Sequence, residues 1–245
     1  MLNRRFITTA LVFAPLGAVA APTPLRALVF DVRPYGFTDQ AGATAGISVD
    51  WFKALAQEAR LPIAVSLSPL ARVVRDFDQG QGDLILLIPS PIFAPINVSR
   101  VIDVGTITLG VWTLNTFAAK RVSDLAGKKV VVLRGGSAEH FARGWSDVDV
   151  VAVNSVASMV SMLQMGRVDA LLILEPTLKA HLDGQPDAKF LESSHKAFES
   201  RLPMSLFVGR HVSEEMQQRI VQAAEALKRS RRFEVLTEGY AAGKP

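Results

Sequence analysis

Apolar residues in this chain come in short strand-length runs, alternating with stretches where they recur every three or four positions. Residues 25–32 form the first run, and the turn-rich segment 34–46 follows it. Asp50 is placed to cap a helix over 51–59, in which Phe52, Leu55, Ala56 and Ala59 recur at helical spacing. Residues 63–67 predict a second strand, 71–77 a short helix ended by Gly80 and Gly82, and 84–88 a third strand. That third run is apolar throughout, as in a strand covered on both faces. The cycle restarts at Val130. Strand 130–133 and a helix from Ala138 lead to strand 150–153, helix 156–165 and strand 170–174. Ser155 caps the helix at 156, and its apolar face is Val156, Met159, Val160 and Leu163. Two strand-helix-strand-helix-strand cycles predict two α/β lobes. The extended segments 106–114 and 204–208 are the natural crossings between them, and helix 213–228 then returns to the first lobe. One large single sheet is the competing architecture.

Composition sets bounds on this picture. A chain of 245 residues with 49% hydrophobic content fills one large core or two modest ones. Arg4 and Arg5 precede an apolar run at 10–19 that ends in Ala18-Val19-Ala20, the layout of a cleavable secretory signal over 1–20. The run is too short to span a bilayer. An exported, periplasmic protein is therefore expected, and the arginine pair leaves the export route open between the general and twin-arginine systems. Removing 1–20 takes the 27 basic residues to 25 against 23 acidic ones, so the net charge falls from +4 to +2. Nucleic-acid binding requires a concentrated basic stripe. Only Lys-Arg-Ser-Arg-Arg at 228–232 approaches one, and at a helix end it complements the dipole instead. With no cysteine, the chain has no disulfide, thiol nucleophile or thiolate metal site.

The segment 124–137, D-L-A-G-K-K-V-V-V-L-R-G-G-S, carries the clearest candidate chemistry. A buried strand breaks at Gly135 and Gly136 into a helix for which Ser137 is the expected N-cap. Free amides at such a start, with Arg134 beside them, form an anion site. The four histidines are scattered without ligand spacing, and no nucleophile elbow is present.

Taken together, P-Y-G-F-T-D…G-I-S-V-D (34–50), G-Q-G-D-L (80–84), D-L-A-G-K-K-V (124–130), G-R-V-D-A-L-L (166–172) and A-L-K-R-S-R-R-F-E-V-L (226–236) occur in an order that resembles bacterial extracellular solute-binding proteins of family 3. S-P-L-A-R at 68–72 resembles a Pro-Trp-x-Arg-like stretch of that family's divergent proteobacterial branch. The resemblance implies a two-lobed periplasmic-binding-protein-like (type II) fold, two α/β lobes joined by two hinge strands. It divides the chain into lobe 1 at 21–110, lobe 2 at 111–205 and a return to lobe 1 at 206–245.

Residue by residue, the resemblance implies that Tyr35 packs on the ligand and that Ser90 contacts a carboxylate. Arg134 is the second-lobe cation, and Gly135, Gly136 and Ser137 are the anion loop. Two family elements are missing. The carboxylate-clamping arginine falls on Pro95, and the ammonium-binding aspartate falls on Leu174, with Glu175 next to it. Glu175 replaces that aspartate only if the strand ends there, which Pro176 favours. Arg72 is a substitute cation from a different wall. A standard α-amino acid is thus disfavoured, and a small polar or anionic solute is expected. The resemblance further implies a monomer that hands its ligand to an ABC permease, with no cofactor and no chemistry. The alternatives are a cyclohexadienyl-dehydratase-like periplasmic enzyme of the same fold and a ligand-sensing module for a membrane sensor.

Overall fold

The structure is a computed structural model that describes residues 23–90, 98–183 and 188–242. The signal at 1–20 and Pro95 lie outside the described residues. In chain order the elements are β1 (Leu25–Phe30), β2 (Phe37–Thr38), β3 (Thr44–Ala45), α1 (Ile47–Ala59), β4 (Ile63–Ser68), α2 (Leu70–Asp78) and β5 (Leu84–Leu87). Then come the long strand β6 (Val98–Leu114), β7 (Lys128–Leu133), α3 (Ser137–Arg143), β8 (Val148–Val153), α4 (Val156–Gln164), β9 (Ala170–Leu174) and α5 (Glu175–Asp183). The chain ends with α6 (Ala188–Ser193), the second long strand β10 (Ser194–Gly209), α7 (Glu214–Arg229) and α8 (Arg232–Ala241).

Among the described residues, eight strands are hydrogen-bonded in the order β4-β1-β5-β10-β6-β9-β7-β8, and β2 and β3 form a separate hairpin. β1 runs parallel to β4 and β5, and β7 runs parallel to β8 and β9. The long strands β6 and β10 pair antiparallel with each other and connect the two parallel groups. Ser205 to Val208 of β10 join β5, whereas Leu109 to Thr113 of β6 join β9. The register slips midway along this ribbon. Met204 faces Gly105 but Ser205 faces Asp103, which leaves Val104 without a partner. Such a bulge bends and twists the ribbon, and Pro203, which donates no ladder hydrogen bond, sits beside it. Both architectures anticipated from the sequence therefore hold at once: the hydrogen bonding is continuous, and the core is divided into two lobes.

Strand alternation divides each lobe into two packed layers. Leu84 and Leu86 of β5 pack with Trp51, Phe52 and Leu55 of α1, and Ile85 and Leu87 point the other way onto Val73 and Phe77 of α2. In the second lobe Val130 and Val132 meet Ala138 and Ala142 of α3, whereas Val131 joins Met159 and Leu163 of α4. Being covered on both faces explains why these strands are apolar throughout.

Asp83, the acid of the G-Q-G-D stretch, works as a clasp. It accepts from the Arg26 amide (2.6 Å), Nε (3.1 Å) and Nη2 (2.7 Å), and pairs with His211 Nε2 at 2.6 Å. This joins β1, the turn before β5 and the turn after β10. Burial opposes ionisation of Asp83, but the Arg26 and His211 hydrogen bonds outweigh it and hold the carboxyl below its ordinary value.

Two local expectations are corrected and one helix is added. α1 starts at Ile47, four residues earlier than predicted, so Asp50 lies inside the helix and pairs with Lys53 and Tyr240. The N-cap of α3 is Gly136 rather than Ser137, with no side-chain cap. α8 is a separate helix because Arg231 turns left-handed (φ 53°) after Ser230 ends α7.

Candidate functional site

Tyr35 is fixed by backbone hydrogen bonds on both sides. Its amide donates to the Val32 carbonyl (2.9 Å), and the first amides of α1 donate back, Ile47 to Pro34 O (2.9 Å) and Ser48 to Tyr35 O (3.0 Å). This close return needs glycine at position 46, where φ is +131° and a Cβ would lie 2.4 Å from Tyr35 O. The Gly46 amide also donates to Tyr240 Oη (2.9 Å), and Tyr240 donates to Asp50 Oδ2 (2.7 Å). The C-terminal helix α8 thereby braces the loop that carries Tyr35. Burial raises the pKa of the Tyr240 phenol to about 12, helped by the neighbouring Asp50.

Tyr35 itself is only 5% exposed, and among the described residues its hydroxyl has no hydrogen-bond partner. Burial raises its pKa, and Thr177 of α5 in the second lobe tempers the rise. Thr177 thus lies near the phenol without making a well-formed hydrogen bond to it. The Ser90 hydroxyl is likewise buried and unpartnered.

Tyr35 lines a cleft between the lobes that is partly open to solvent. Phe30, Val32, Ser48, Leu70 and Leu86 belong to the first-lobe side, Leu133, Gly135, Gly136, Ser137, Leu172, Leu174 and Thr177 to the second, and Met204 lies on the connecting strand β10. The lobes approach closely along its walls, where a Cβ on Gly136 would lie 3.4 Å from Leu70 Cδ2. No ionisable side chain is among the described lining residues except the Tyr35 phenol. The intervening sequence 91–97, P-I-F-A-P-I-N, contains none either.

The eight residues expected to bind ligand separate into two groups. Tyr35, Gly135, Gly136 and Ser137 line the cleft, and Ser90 lies two residues past the lining residue Ile88. Arg72, Arg134 and Glu175 are not among the lining residues. Arg72 is exposed on α2. Arg134 turns back along its own lobe, donating from Nε to Asn154 Oδ1 (3.0 Å) and from Nη2 to Ala152 O (2.6 Å). β9 does end at Leu174, but Glu175 faces Lys196 Nζ at 3.2 Å while Leu174 lines the cleft.

The glycine loop is also engaged internally. Gly135 N donates to Glu139 Oε2 (2.6 Å) and Gly136 N to Leu133 O (3.2 Å). Burial disfavours the charged form of Glu139, yet the Gly135 amide and Arg143 outweigh it and hold its carboxyl below the ordinary range. The loop therefore already holds an anion, its own. Sequence reasoning missed Thr177 and Tyr240. Thr177 is the third residue of α5, directly after Pro176, and its position beside Tyr35 depends on the packing of the two lobes. Among the described residues no group of three or more His, Asp or Glu side chains is arranged to hold a metal ion. No described helix is long and apolar enough to cross a membrane.

No protein-family model and no curated protein matches this chain. Solved structures do match its fold. An amino acid ABC transporter substrate-binding protein from Streptococcus pneumoniae, bound to L-arginine, superposes with a TM-score of 0.69 at 20% identity, covering 89% of this chain and 94% of that one. The GluR0 ligand-binding core in complex with L-glutamate gives 0.71 at 21% identity, covering 89% and 98%. A Salmonella typhimurium periplasmic binding protein of high arginine specificity gives 0.67 at 16% identity, covering 89% and 98%. This chain has the two-lobed, type II periplasmic-binding-protein-like α/β fold of these structures.

Proposed function

We propose that this chain is an exported solute-binding protein that captures a small molecule between its two lobes and delivers it to an ABC-type permease, without chemistry. Membership of family 3 and its divergent proteobacterial branch, the signal at 1–20, a periplasmic location and lobe boundaries at 110/111 and 205/206 belong to the same reading. The observation that carries it is the cleft itself, with walls from both lobes around the buried, unpartnered Tyr35 hydroxyl. A solute that bridges the lobes stabilises the closed arrangement because only that arrangement satisfies both walls. The bulge near Gly105 and Met204, in both connecting strands, is where the lobes turn against each other. The ligand contacts in this reading are Tyr35, Ser90, Gly135, Gly136 and Ser137, with Thr177 added.

The fold's distribution supports the reading, since two of the matched structures are binding proteins by name. Dehydratase-like catalysis needs an acid or base at the reacting atoms, and no carboxylate or histidine is among the described lining residues. The test is a pull-down of detergent-solubilised membranes on the solute-loaded mature protein. Recovery of a permease with its ATPase is expected. Recovery of a sensor kinase instead would assign the chain to signalling.

A further inference from the structure

We infer that the solute is an uncharged, predominantly apolar small molecule with a hydrogen-bonding group that meets the Tyr35 hydroxyl. The inference rests on the solute-capture reading and specifies its ligand class. Each charged group that sequence reasoning assigned to recognition is either engaged elsewhere or turned outward. Arg134 is held by Asn154 and the Ala152 carbonyl, Glu175 by Lys196, and the Gly135 amide by Glu139. Leu174 lines the cleft, together with Phe30, Leu70, Leu86 and Leu172. An ionised carboxylate or ammonium enclosed there would lose its hydration without gaining a counter-charge, which costs far more than apolar contact returns. A neutral ring or branched hydrocarbon loses nothing comparable and gains the full apolar surface.

The polar requirement comes from Tyr35. A phenol hydroxyl buried without a partner is costly, and here it points to a ligand group that completes it. Thr177, on the facing lobe, lines the same cleft. This arrangement also links recognition to closure, because Tyr35 and Thr177 come from different lobes.

The test uses the mature protein and a small-molecule culture extract, separated by ion exchange into cationic, anionic and uncharged pools, with amino acids retained among the cations. Each pool is assayed for a rise in melting temperature, alongside indole, p-cresol, L-arginine and L-glutamate as defined probes. The uncharged pool is expected to stabilise the protein, and mass spectrometry of the retained component to find a neutral, apolar molecule. Tyr35→Phe should weaken its binding roughly five- to tenfold, the loss of one neutral hydrogen bond. Leu174→Asp, which places a carboxylate in the wall, should abolish the response, while Leu174→Met keeps it and serves as the folding control. Stabilisation by a charged pool alone overturns this inference and leaves solute capture standing. No response to any pool overturns solute capture, and this inference with it.

Discussion

Replacing Tyr35 with phenylalanine should move apo stability and ligand affinity in opposite directions. The ring is 5% exposed and braced by Gly46 and Ser48, so the substitution removes one oxygen and leaves the packing in place. That oxygen has no hydrogen-bond partner among the described residues. Burying a hydroxyl unsatisfied costs about 1–3 kcal/mol. Proximity to Thr177 recovers part of this, which places the gain for Tyr35→Phe near ~1 kcal/mol. For a chain of this size, ~1 kcal/mol corresponds to a rise of about 2–4 °C in melting temperature. The same variant loses one neutral hydrogen bond to ligand, so Kd should increase roughly five- to tenfold. Thermal unfolding of the apo protein and calorimetric titration with the stabilising solute read the two effects separately. A fall in apo melting temperature of similar size would refute the reasoning, because it would mean that the hydroxyl is satisfied without ligand. An unchanged Kd would remove Tyr35 from the recognition surface.

Other perturbations follow from the same contacts. Asp83→Asn weakens the clasp to Arg26 and should cost about 1.5–3 kcal/mol in urea unfolding, toward the lower end because the Arg26 side chain is half exposed. Because the folded pKa values of Asp83 and Glu139 are lowered, their stabilisation is full above the ordinary carboxylate range and is lost as pH falls through the lower folded values. Wild-type stability should therefore decline in acid below about pH 4, with a shallower decline in Asp83→Asn. Gly46→Ala places a Cβ 2.4 Å from Tyr35 O at a φ of +131°, and should destabilise the apo protein by more than ~1 kcal/mol while weakening ligand binding. Arg134→Ala removes exposed contacts to Asn154 and Ala152, and should change stability by under ~0.5 kcal/mol with the ligand-induced shift retained. Loss of that shift would return Arg134 to the site.

The parts of the fold legible in the sequence are those set by local periodicity and burial. β9 at Ala170–Leu174 agrees residue for residue, and β7, β8, α2 and α4 differ only at their ends: β7 and β9 are apolar runs buried in the sheet, and α2 and α4 each pack one apolar face on it. The start of α1 was misplaced because Asp50 has the chemistry of a cap but serves Tyr240, 190 residues away, while Gly46 takes the cap position through its backbone. For the candidate site, the sequence indicates which segments turn into the cleft more than what they bind there. Tyr35 and the Gly135–Ser137 loop do reach the cleft, since strand ends and glycine breaks fix where a chain turns. What Arg134, Glu175 and the Gly135 amide bind depends on Asn154, Lys196 and Glu139, and residue type alone does not reveal such pairings. The consequence is chemical: the Gly135 amide of the apparent anion loop is taken by the protein's own Glu139 carboxylate.

The most direct measurement of capture between the lobes exploits the absence of cysteine from the chain. In Leu70→Cys the sole thiol would stand in the cleft wall, where Leu70 lies beside Gly136 of the facing lobe. Its alkylation rate is followed with and without the solute that raises the melting temperature. The account predicts that the solute slows alkylation by closing the lobes over the thiol. A solute that stabilises the protein yet leaves the alkylation rate unchanged would contradict binding in the cleft.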